Sequence, residues 1–130
     1  MNRIIILSLI FIFSCELLNS PEINIISESD FNDLRDSDYT VIDVRTQDEF
    51  DLGHIESAIN LDFYSDTFQN DILSLPINEK IILYCRTNNR SSKTANILKE
   101  NGFKEISVLE GGITEWVKKG NDINYTTYSD

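Results

Sequence analysis

The 130-residue sequence contains little cysteine, histidine and positive charge, and these shortages exclude several classes of protein. Two cysteines cannot build a disulfide framework, and a single histidine leaves too few ligands for an ordinary zinc site. Eleven Lys and Arg side chains stand against 22 Asp and Glu, and no basic run occurs. Because proteins bind a polyanion through clustered cations, a net charge of -11 makes a nucleic-acid partner unexpected.

The rest of the composition is that of one compact domain. Hydrophobic residues make up 41% and charged residues 25% of the chain, which is close to the globular average. A chain of this length has room for a single domain. A small acidic enzyme or a binding module therefore remains.

The N-terminal segment is predicted to direct export rather than to join the fold. A basic start at Arg3 precedes an uncharged apolar run over residues 4–13, which is too short for a comfortable transmembrane helix. Alternatives to a cleaved lipoprotein signal are an ordinary cleaved signal, an uncleaved anchor and a buried apolar strand with an incidental cysteine.

The sequence IFSC at residues 12–15 resembles a bacterial lipoprotein cleavage box, with Phe13 bulkier than the usual residue there. The resemblance implies a signal peptide over residues 1–14, a lipid on Cys15 and a polar tether over residues 15–22. We therefore expect an exported protein that is lipid-anchored at the bacterial cell envelope, on the periplasmic or outer face.

The body of the chain, residues 23–120, alternates between strand-like and helix-like patterns. Strand patterns occupy residues 23–26, 41–44, 58–61, 81–84 and 106–109. Helical patterns start at Ser27 or Ser29, at a capping box on Thr46, at Asp71, at Ser91 and at Gly111-Gly112. This alternation predicts an α/β domain with a parallel sheet and helices on both faces. The tail over residues 121–130 is polar apart from three residues, and whether it is ordered is left open.

Cys85 is the candidate nucleophile because it lies where a buried strand ends and a helix begins. Ligands of parallel sheets bind beyond the carboxyl ends of the strands, where turn N–H groups and a helix N-terminus form an anion cradle. Arg86, Arg90 and Lys93 add positive charge, so a thiol there is expected to ionise easily. The alternative, a buried structural thiol, fits less well because unpaired guanidinium groups are costly in a core.

Six sequence blocks together resemble the single-domain rhodaneses, which are thiosulfate or persulfide sulfurtransferases. The blocks are VIDVR at 41–45, EF at 49–50, GHI at 53–55, AIN at 58–60, YCRTNNRS at 84–91 and LEGG at 109–112 followed by Trp116. The resemblance covers about residues 23–120 and implies a rhodanese-like parallel sheet with Cys85 as the catalytic residue. It also implies a loop that binds the substrate or the persulfide, formed by Arg86, Thr87, Asn88, Asn89, Arg90 and Ser91.

The reaction that this resemblance implies is sulfur transfer through a persulfide on Cys85. The thiolate takes a sulfur from thiosulfate, polysulfide or a persulfide, and cyanide or a thiol removes it, with no metal and no organic cofactor. The expected partners are small sulfur-donor anions and thiol acceptors. The six residues from Cys85 to Arg90 favour sulfur transfer over a cysteine phosphatase or an arsenate reductase, whose related loops are one residue longer. A non-catalytic module that senses or carries sulfane sulfur is the other alternative.

Three loop residues have specific expected roles. Arg86 is expected to steer anionic donors, whereas Arg90 either steers them or locks the loop by bonding inward. The resemblance places glycine where Asn88 stands. Among residues other than glycine, asparagine best tolerates a positive φ. We therefore expect Asn88 to adopt the left-handed conformation, with its side chain at the mouth of the site.

The resemblance assigns a structural role to three residues outside the loop. It places Asp43, Arg45 and His54 in a hydrogen-bonding cluster, so His54 is not expected to act as a general base. Trp116 lies at helical spacing from Ile113 and is predicted to be a core residue.

Overall fold

The computed structural model describes residues 21–127, in which strands and helices alternate along the chain. The strands are β1 Ile23–Ile26, β2 Tyr39–Asp43, β3 Ile59–Asn60, β4 Lys80–Tyr84 and β5 Glu105–Leu109. The helices are α1 Glu28–Arg35, α2 Gln47–Asp51, α3 Phe68–Leu73, α4 Asn89–Glu100 and α5 Gly112–Lys118. The predicted signal peptide and Cys15 lie outside the described residues. Within the described range, no helix is long and apolar enough to cross a membrane.

The five strands form one parallel sheet in the order β1-β5-β4-β2-β3. Strand β4, the continuous apolar run of the sequence, lies at the centre between β5 and β2. A central parallel strand is covered on both faces, which explains why its side chains do not alternate between apolar and polar. The predicted α/β fold with a parallel sheet is confirmed.

Two apolar clusters cover the two faces of the sheet. Successive side chains of a strand point to opposite faces, so Ile81 and Leu83 join one cluster while Ile82 and Tyr84 join the other. Helices α3 and α4 pack on the first face, and α1 and α5 pack on the second. Cys85 continues the alternation of β4 and faces the α4 side, within the first cluster.

Capping residues begin two helices where the sequence indicates them. Thr46 caps α2 through a capping box with Glu49, as predicted, and Ser27 rather than Ser29 caps α1 in the same way. Two predicted starts are wrong. Helix α4 begins at Asn89 instead of Ser91, and α3 begins at Phe68 instead of Asp71, because Phe68 and Ile72 form its buried apolar stripe.

The tail after α5 is ordered as far as the structure describes it. Asn124 exchanges two backbone hydrogen bonds of 2.8 Å with His54, in an isolated antiparallel bridge. The indole Nε1 of Trp116 donates to the carbonyl of Asp122 at 2.9 Å. Trp116 itself is buried against Phe31, which confirms its prediction as a core residue.

A close backbone approach joins the loop after β4 to the turn that begins α5. The N–H of Ile113 donates to the carbonyl of Cys85 at 3.0 Å, and the N–H of Thr114 donates to that of Arg86 at 3.1 Å. Gly112, with φ at +58°, lies between the two segments, and a Cβ there would come within 2.4 Å of two carbonyl oxygens of the loop. Only glycine fits this position, and because it has no Cβ the two segments can lie close enough to form these hydrogen bonds.

We expect Gly112→Ala to destabilise the domain more than Gly120→Ala does. Both glycines have a positive φ, and alanine at either costs about 1 kcal/mol for that reason. At Gly112 the new Cβ also collides with backbone, which adds about 2 kcal/mol, whereas at Gly120 it meets nothing within 4 Å. Urea denaturation followed by circular dichroism measures both losses, and equal losses would contradict the role of the close approach.

Candidate active site

The candidate nucleophile lies at the carboxyl end of the central strand and is almost enclosed. The Cys85 side chain is a free thiol with 1% of its surface exposed. Its Sγ lies 3.4 Å from the Oγ of Ser91, which is fully buried and also donates to the carbonyl of Asn88 at 3.3 Å. The Ser91 hydroxyl is therefore a polar side-chain group within hydrogen-bond distance of the sulfur, and either atom of this pair can act as the donor.

Among the described residues, the six consecutive backbone N–H groups that follow this end of the strand have no acceptor. Within residues 21–127, the N–H groups of residues 86–91 have no hydrogen-bond partner, and the first paired one is that of Ser92, which donates to Asn88 at 2.9 Å. In a trans peptide, the C=O of one residue and the N–H of the next point in opposite directions. Because the carbonyls of Cys85 and Arg86 point at α5, the following two N–H groups point away from it. Unpaired N–H groups at the start of a helix form an anion site.

Asn88 does not have the conformation that the sequence predicts. Its φ is −138°, so the expected left-handed conformation is wrong. Its side chain is also turned away from the mouth of the site, because Nδ2 donates to the carbonyl of Leu109 at 3.1 Å and Oδ1 accepts from the N–H of Gly111 at 2.8 Å. A glycine cannot make these bonds. Asn88 therefore ties the loop to the turn that begins α5.

Arg90 is bound by a carboxylate and locks the loop. Its guanidinium makes two hydrogen bonds to Glu49, at 2.7 and 2.9 Å, and lies 5.7 Å from the ring centre of Tyr64. The bond to Glu49 raises the pKa of Arg90 against the opposing effect of burial, and the nearby charge of Cys85 adds to the rise. Of the two roles left open for Arg90, inward bonding is the one that the geometry favours.

Glu49, which the sequence predicts only as part of the capping box of α2, is also a site residue. The hydrogen bond to Arg90, with smaller contributions from the hydrogen bonds of Thr46, lowers the pKa of Glu49 to about 2 against the opposing effect of burial. The same carboxylate thus completes the capping box of α2 and holds the loop. Its place in the EF block was the available signal, but nothing in that block shows that its partner lies 41 residues away.

The other loop residues face solvent. Arg86, Thr87 and Asn89 are exposed, and among the described residues Arg86 pairs with no carboxylate. The guanidinium of Arg86 is therefore available to an anion, whereas that of Arg90 is occupied.

Asp43 and Arg45 form a buried ion pair beneath the site. Arg45 Nη2 lies 2.6 Å from Asp43 Oδ2 and 2.7 Å from the carbonyl of Gly53. Burial opposes the charge on Arg45, but its bonds to Asp43 raise its pKa above the ordinary value. His54 joins the expected cluster only through its neighbour Gly53, because its own ring stacks on Phe50 and its Nδ1 lies 2.9 Å from the Phe50 carbonyl.

Tyr84 is a second residue that sequence reasoning missed. Its hydroxyl accepts a 3.0 Å hydrogen bond from the N–H of Ile55, and its ring lies 5.8 Å from the guanidinium carbon of Arg45. Burial and the charge of Asp43 raise the pKa of Tyr84 well above its usual range, so it stays neutral. The only sequence signal was a polar hydroxyl within an apolar central strand.

The fold and the cysteine loop together define a family. The family model described as "Rhodanese-like domain" matches residues 27–119. The chain belongs to this family. It is similar to a rhodanese-related protein from Thermoplasma volcanium, with a TM-score of 0.70 and 27% identity over 79% of this chain and 99% of that one. A rhodanese-like domain protein from Staphylococcus aureus has a TM-score of 0.66 and 26% identity over 80% of this chain and 99% of that one.

The curated relatives are longer proteins. The chain is 31% identical over 113 residues to the tRNA uridine(34) hydroxylase of Escherichia coli O6:K15:H31 (strain 536), which covers 82% of this chain and 30% of the relative. The hydroxylase of the same name from strain E24377A is 30% identical over the same shares. The chain thus spans less than a third of the length of these relatives.

The Glu49–Arg90 pair predicts a specific loss of stability in acid. The pKa of Glu49 is lowered from 4.5 to about 2, so the ionised form stabilises the fold above pH 4.5, and this contribution is lost as the pH falls towards 2. We expect wild type to exceed Glu49→Gln in stability at pH 6 by a margin that shrinks steadily between about pH 4.5 and 2. Urea denaturation over this pH range measures the margin.

The matched control is Asp48→Asn, which removes an exposed carboxylate from the same helical turn. If the difference in stability between wild type and Glu49→Gln stays constant over the pH range, the ion pair is contradicted. The same holds if Asp48→Asn shows the same dependence on pH as Glu49→Gln.

Proposed function

We propose that the protein is a sulfurtransferase that carries a sulfane sulfur as a persulfide on Cys85. The observation that carries the proposal is the row of six N–H groups, those of residues 86–91, that directly follow a nearly buried thiol and have no partner among the described residues. Such a cradle stabilises a negatively charged sulfur, both as the attacking thiolate and as the persulfide. The Ser91 hydroxyl adds a polar side-chain group 3.4 Å from the sulfur.

The reaction takes place in two balanced steps. The Cys85 thiolate attacks the outer sulfur of thiosulfate, the sulfur–sulfur bond breaks, and sulfite leaves with the electron pair. A second thiolate then attacks the outer sulfur of the Cys85 persulfide, and Cys85 leaves as a thiolate while the acceptor becomes a persulfide. Neither step needs an external oxidant or reductant. Arg86, the exposed first residue of the loop, draws in the anionic donor.

Two other chemistries are less well supported. A cysteine phosphatase or arsenate reductase must enclose a tetrahedral oxyanion, and the six-residue loop from Cys85 to Arg90 is short for that purpose. Arg90 is already bound to Glu49, so its guanidinium is not available to hold such an oxyanion. Hydroxylation of a tRNA nucleoside, the activity in the name of the longer relatives, requires contact with a polyanion. A net charge of -11 opposes that contact.

The first test is the intact mass of the full-length chain carrying Cys15→Ser, in which Cys85 is the only thiol. We expect thiosulfate or polysulfide to add one sulfur atom, and cyanide or a thiol to remove it. The double variant Cys15→Ser, Cys85→Ser is the control and should gain nothing. Absence of any gain with every donor would contradict sulfur transfer, and release of phosphate from an aryl phosphate that depends on Cys85 would support the phosphatase instead.

We also propose that the chain is exported and anchored by a lipid on Cys15. The support is the sequence: the apolar run over residues 4–13 followed by IFSC at 12–15. A tether that ends before β1 at Ile23 would hold the domain beside the membrane.

Lipid attachment is tested by growing a bacterial host that expresses the chain with an alkyne-tagged fatty acid. We expect label on wild type in the membrane fraction and none on Cys15→Ser. The control Cys85→Ser should retain the label, because that cysteine is buried in the domain. Equal labelling of Cys15→Ser and wild type would contradict the proposal.

A further inference from the structure

A cavity of about 450 Å³ lies between α1 and the sheet, away from the cysteine loop. Its floor is formed by β1 and β5, and α1 forms one wall. Tyr39, the first residue of β2, places it near the amino ends of the strands, whereas Cys85 follows the carboxyl end of β4 and faces the other side of the sheet. Small-molecule sites begin at about this size. The cavity is therefore a candidate site that is separate from Cys85.

The floor of this cavity contains a buried hydroxyl that the protein itself does not use. Ser107 is only 2% exposed, and within residues 21–127 its hydroxyl has no hydrogen-bond partner. Its neighbours Ile106 and Val108 join the cluster on the α4 side, so Ser107 points to the α1 side, where it lines the cavity. Asn24 of β1 lies directly opposite it in the sheet. Because a buried hydroxyl without a partner costs stability, a ligand that pairs with Ser107 is favoured.

The wall that α1 forms is negatively charged. Asp30 and Asp33 lie three residues apart on the same side of the helix as Leu34, and all three line the cavity. Asp33 is exposed and has no partner among the described residues. Hydrogen bonds from Ser27 lower the pKa of Asp30, so that carboxylate is also charged. Among the described residues, no Lys or Arg lines the cavity, which therefore favours a cation.

The cation that fits this cavity is organic. In the part of the chain that the structure describes, no three His, Cys, Asp or Glu side chains are grouped closely enough to hold a metal ion. The cavity is also lined by Ile26 and Leu34, which belong to the apolar cluster on this face, and by Ile25, which is 60% exposed. An alkyl chain covers such side chains and removes apolar surface from water, which a bare ion does not do.

We propose that this cavity binds a small primary ammonium ion with an apolar tail. The ammonium group has three N–H donors, which it gives to the carboxylates of Asp30 and Asp33 and to the hydroxyl oxygen of Ser107. The tail lies against Ile26 and Leu34. Such a ligand pairs the buried hydroxyl, balances the wall and covers the apolar floor, which neither an anion nor a metal ion does. The proposal is independent of sulfur transfer.

The test is an NMR titration of the isotope-labelled full-length Cys15→Ser chain with four probes. Hexylammonium, ethylammonium, 1-hexanol and hexanoate vary the tail and the charge separately. We expect hexylammonium to bind with a Kd of about 1 mM, in keeping with so small a ligand. Ethylammonium should bind about tenfold more weakly because it buries less apolar surface, and the uncharged and anionic probes should bind about tenfold more weakly because they lack the ammonium group. The amide signals that shift most should be those of Asn24, Leu34 and Ser107.

Two isosteric substitutions isolate the buried hydroxyl. Thr and Val have the same shape and both suit a strand, so Ser107→Thr and Ser107→Val differ only in a hydroxyl against a methyl group. We expect Ser107→Val to bind hexylammonium about tenfold more weakly than Ser107→Thr. Without ligand, urea denaturation should show Ser107→Val to be at least as stable as Ser107→Thr, because the hydroxyl has no partner among the described residues. If the larger side chains prevent folding, Ser107→Ala tests the same hydroxyl against wild type.

The carboxylate is tested with a control of equal charge. Asp33→Asn should weaken the binding of hexylammonium about fivefold, since an exposed ion pair is lost. Asp48→Asn removes an exposed carboxylate that does not line the cavity, and it should leave the Kd unchanged.

Four outcomes would overturn the proposal. Equal affinity for hexylammonium and hexanoate would show that the cavity does not select a cation. Equal binding by Ser107→Thr and Ser107→Val would show that the hydroxyl has no part in it, and shifts confined to other residues would place the ligand elsewhere. If Asp48→Asn weakens binding as much as Asp33→Asn does, the attraction comes from the acidic chain as a whole and not from this cavity.

Discussion

The shape of the site depends on the hydrogen bonds that hold the loop after β4 against the start of α5. The first N–H groups of a helix need acceptors, and here the carbonyls of Cys85 and Arg86 supply them to α5. This places the carbonyls of Cys85 and Arg86 on one side of the loop and the N–H groups of residues 86 and 87 on the other. The free N–H groups are therefore a consequence of the packing at Gly112. Helix α5 supports the loop through its backbone and does so without contacting the sulfur.

Two side chains complete this arrangement from different elements. Asn88 binds the backbone of residues 109 and 111, and Glu49 holds Arg90 at the first turn of α4. Both interactions use a polar loop side chain for structure, which leaves Arg86 and the loop N–H groups available to an anion. An acidic protein thus keeps a locally positive site, since the unpaired N–H groups carry partial positive charge that the surface carboxylates do not balance at short range.

The sequence predicts the sheet better than it predicts the site. Apolar runs such as residues 81–84 mark strands because a central parallel strand is buried on both faces, and alternation with helices then requires a parallel order. The position of Cys85 at the end of a strand can be predicted because it directly follows such a run. The partner of Arg90 cannot be predicted, because Glu49 lies 41 residues away and only the completed fold brings the two side chains together.

The conformation of Asn88 shows the same limit at a single residue. Local preference allows asparagine a positive φ, and a resemblance that places glycine there points the same way. In this chain the side chain has two backbone partners, the last residue of β5 and the residue before α5, 21 and 23 residues away, and they hold φ at −138°. Two hydrogen bonds to backbone are worth about 1 kcal/mol each, comparable to the preference that they override. A loop without glycine can therefore keep its N–H groups free, provided that another segment fixes its path.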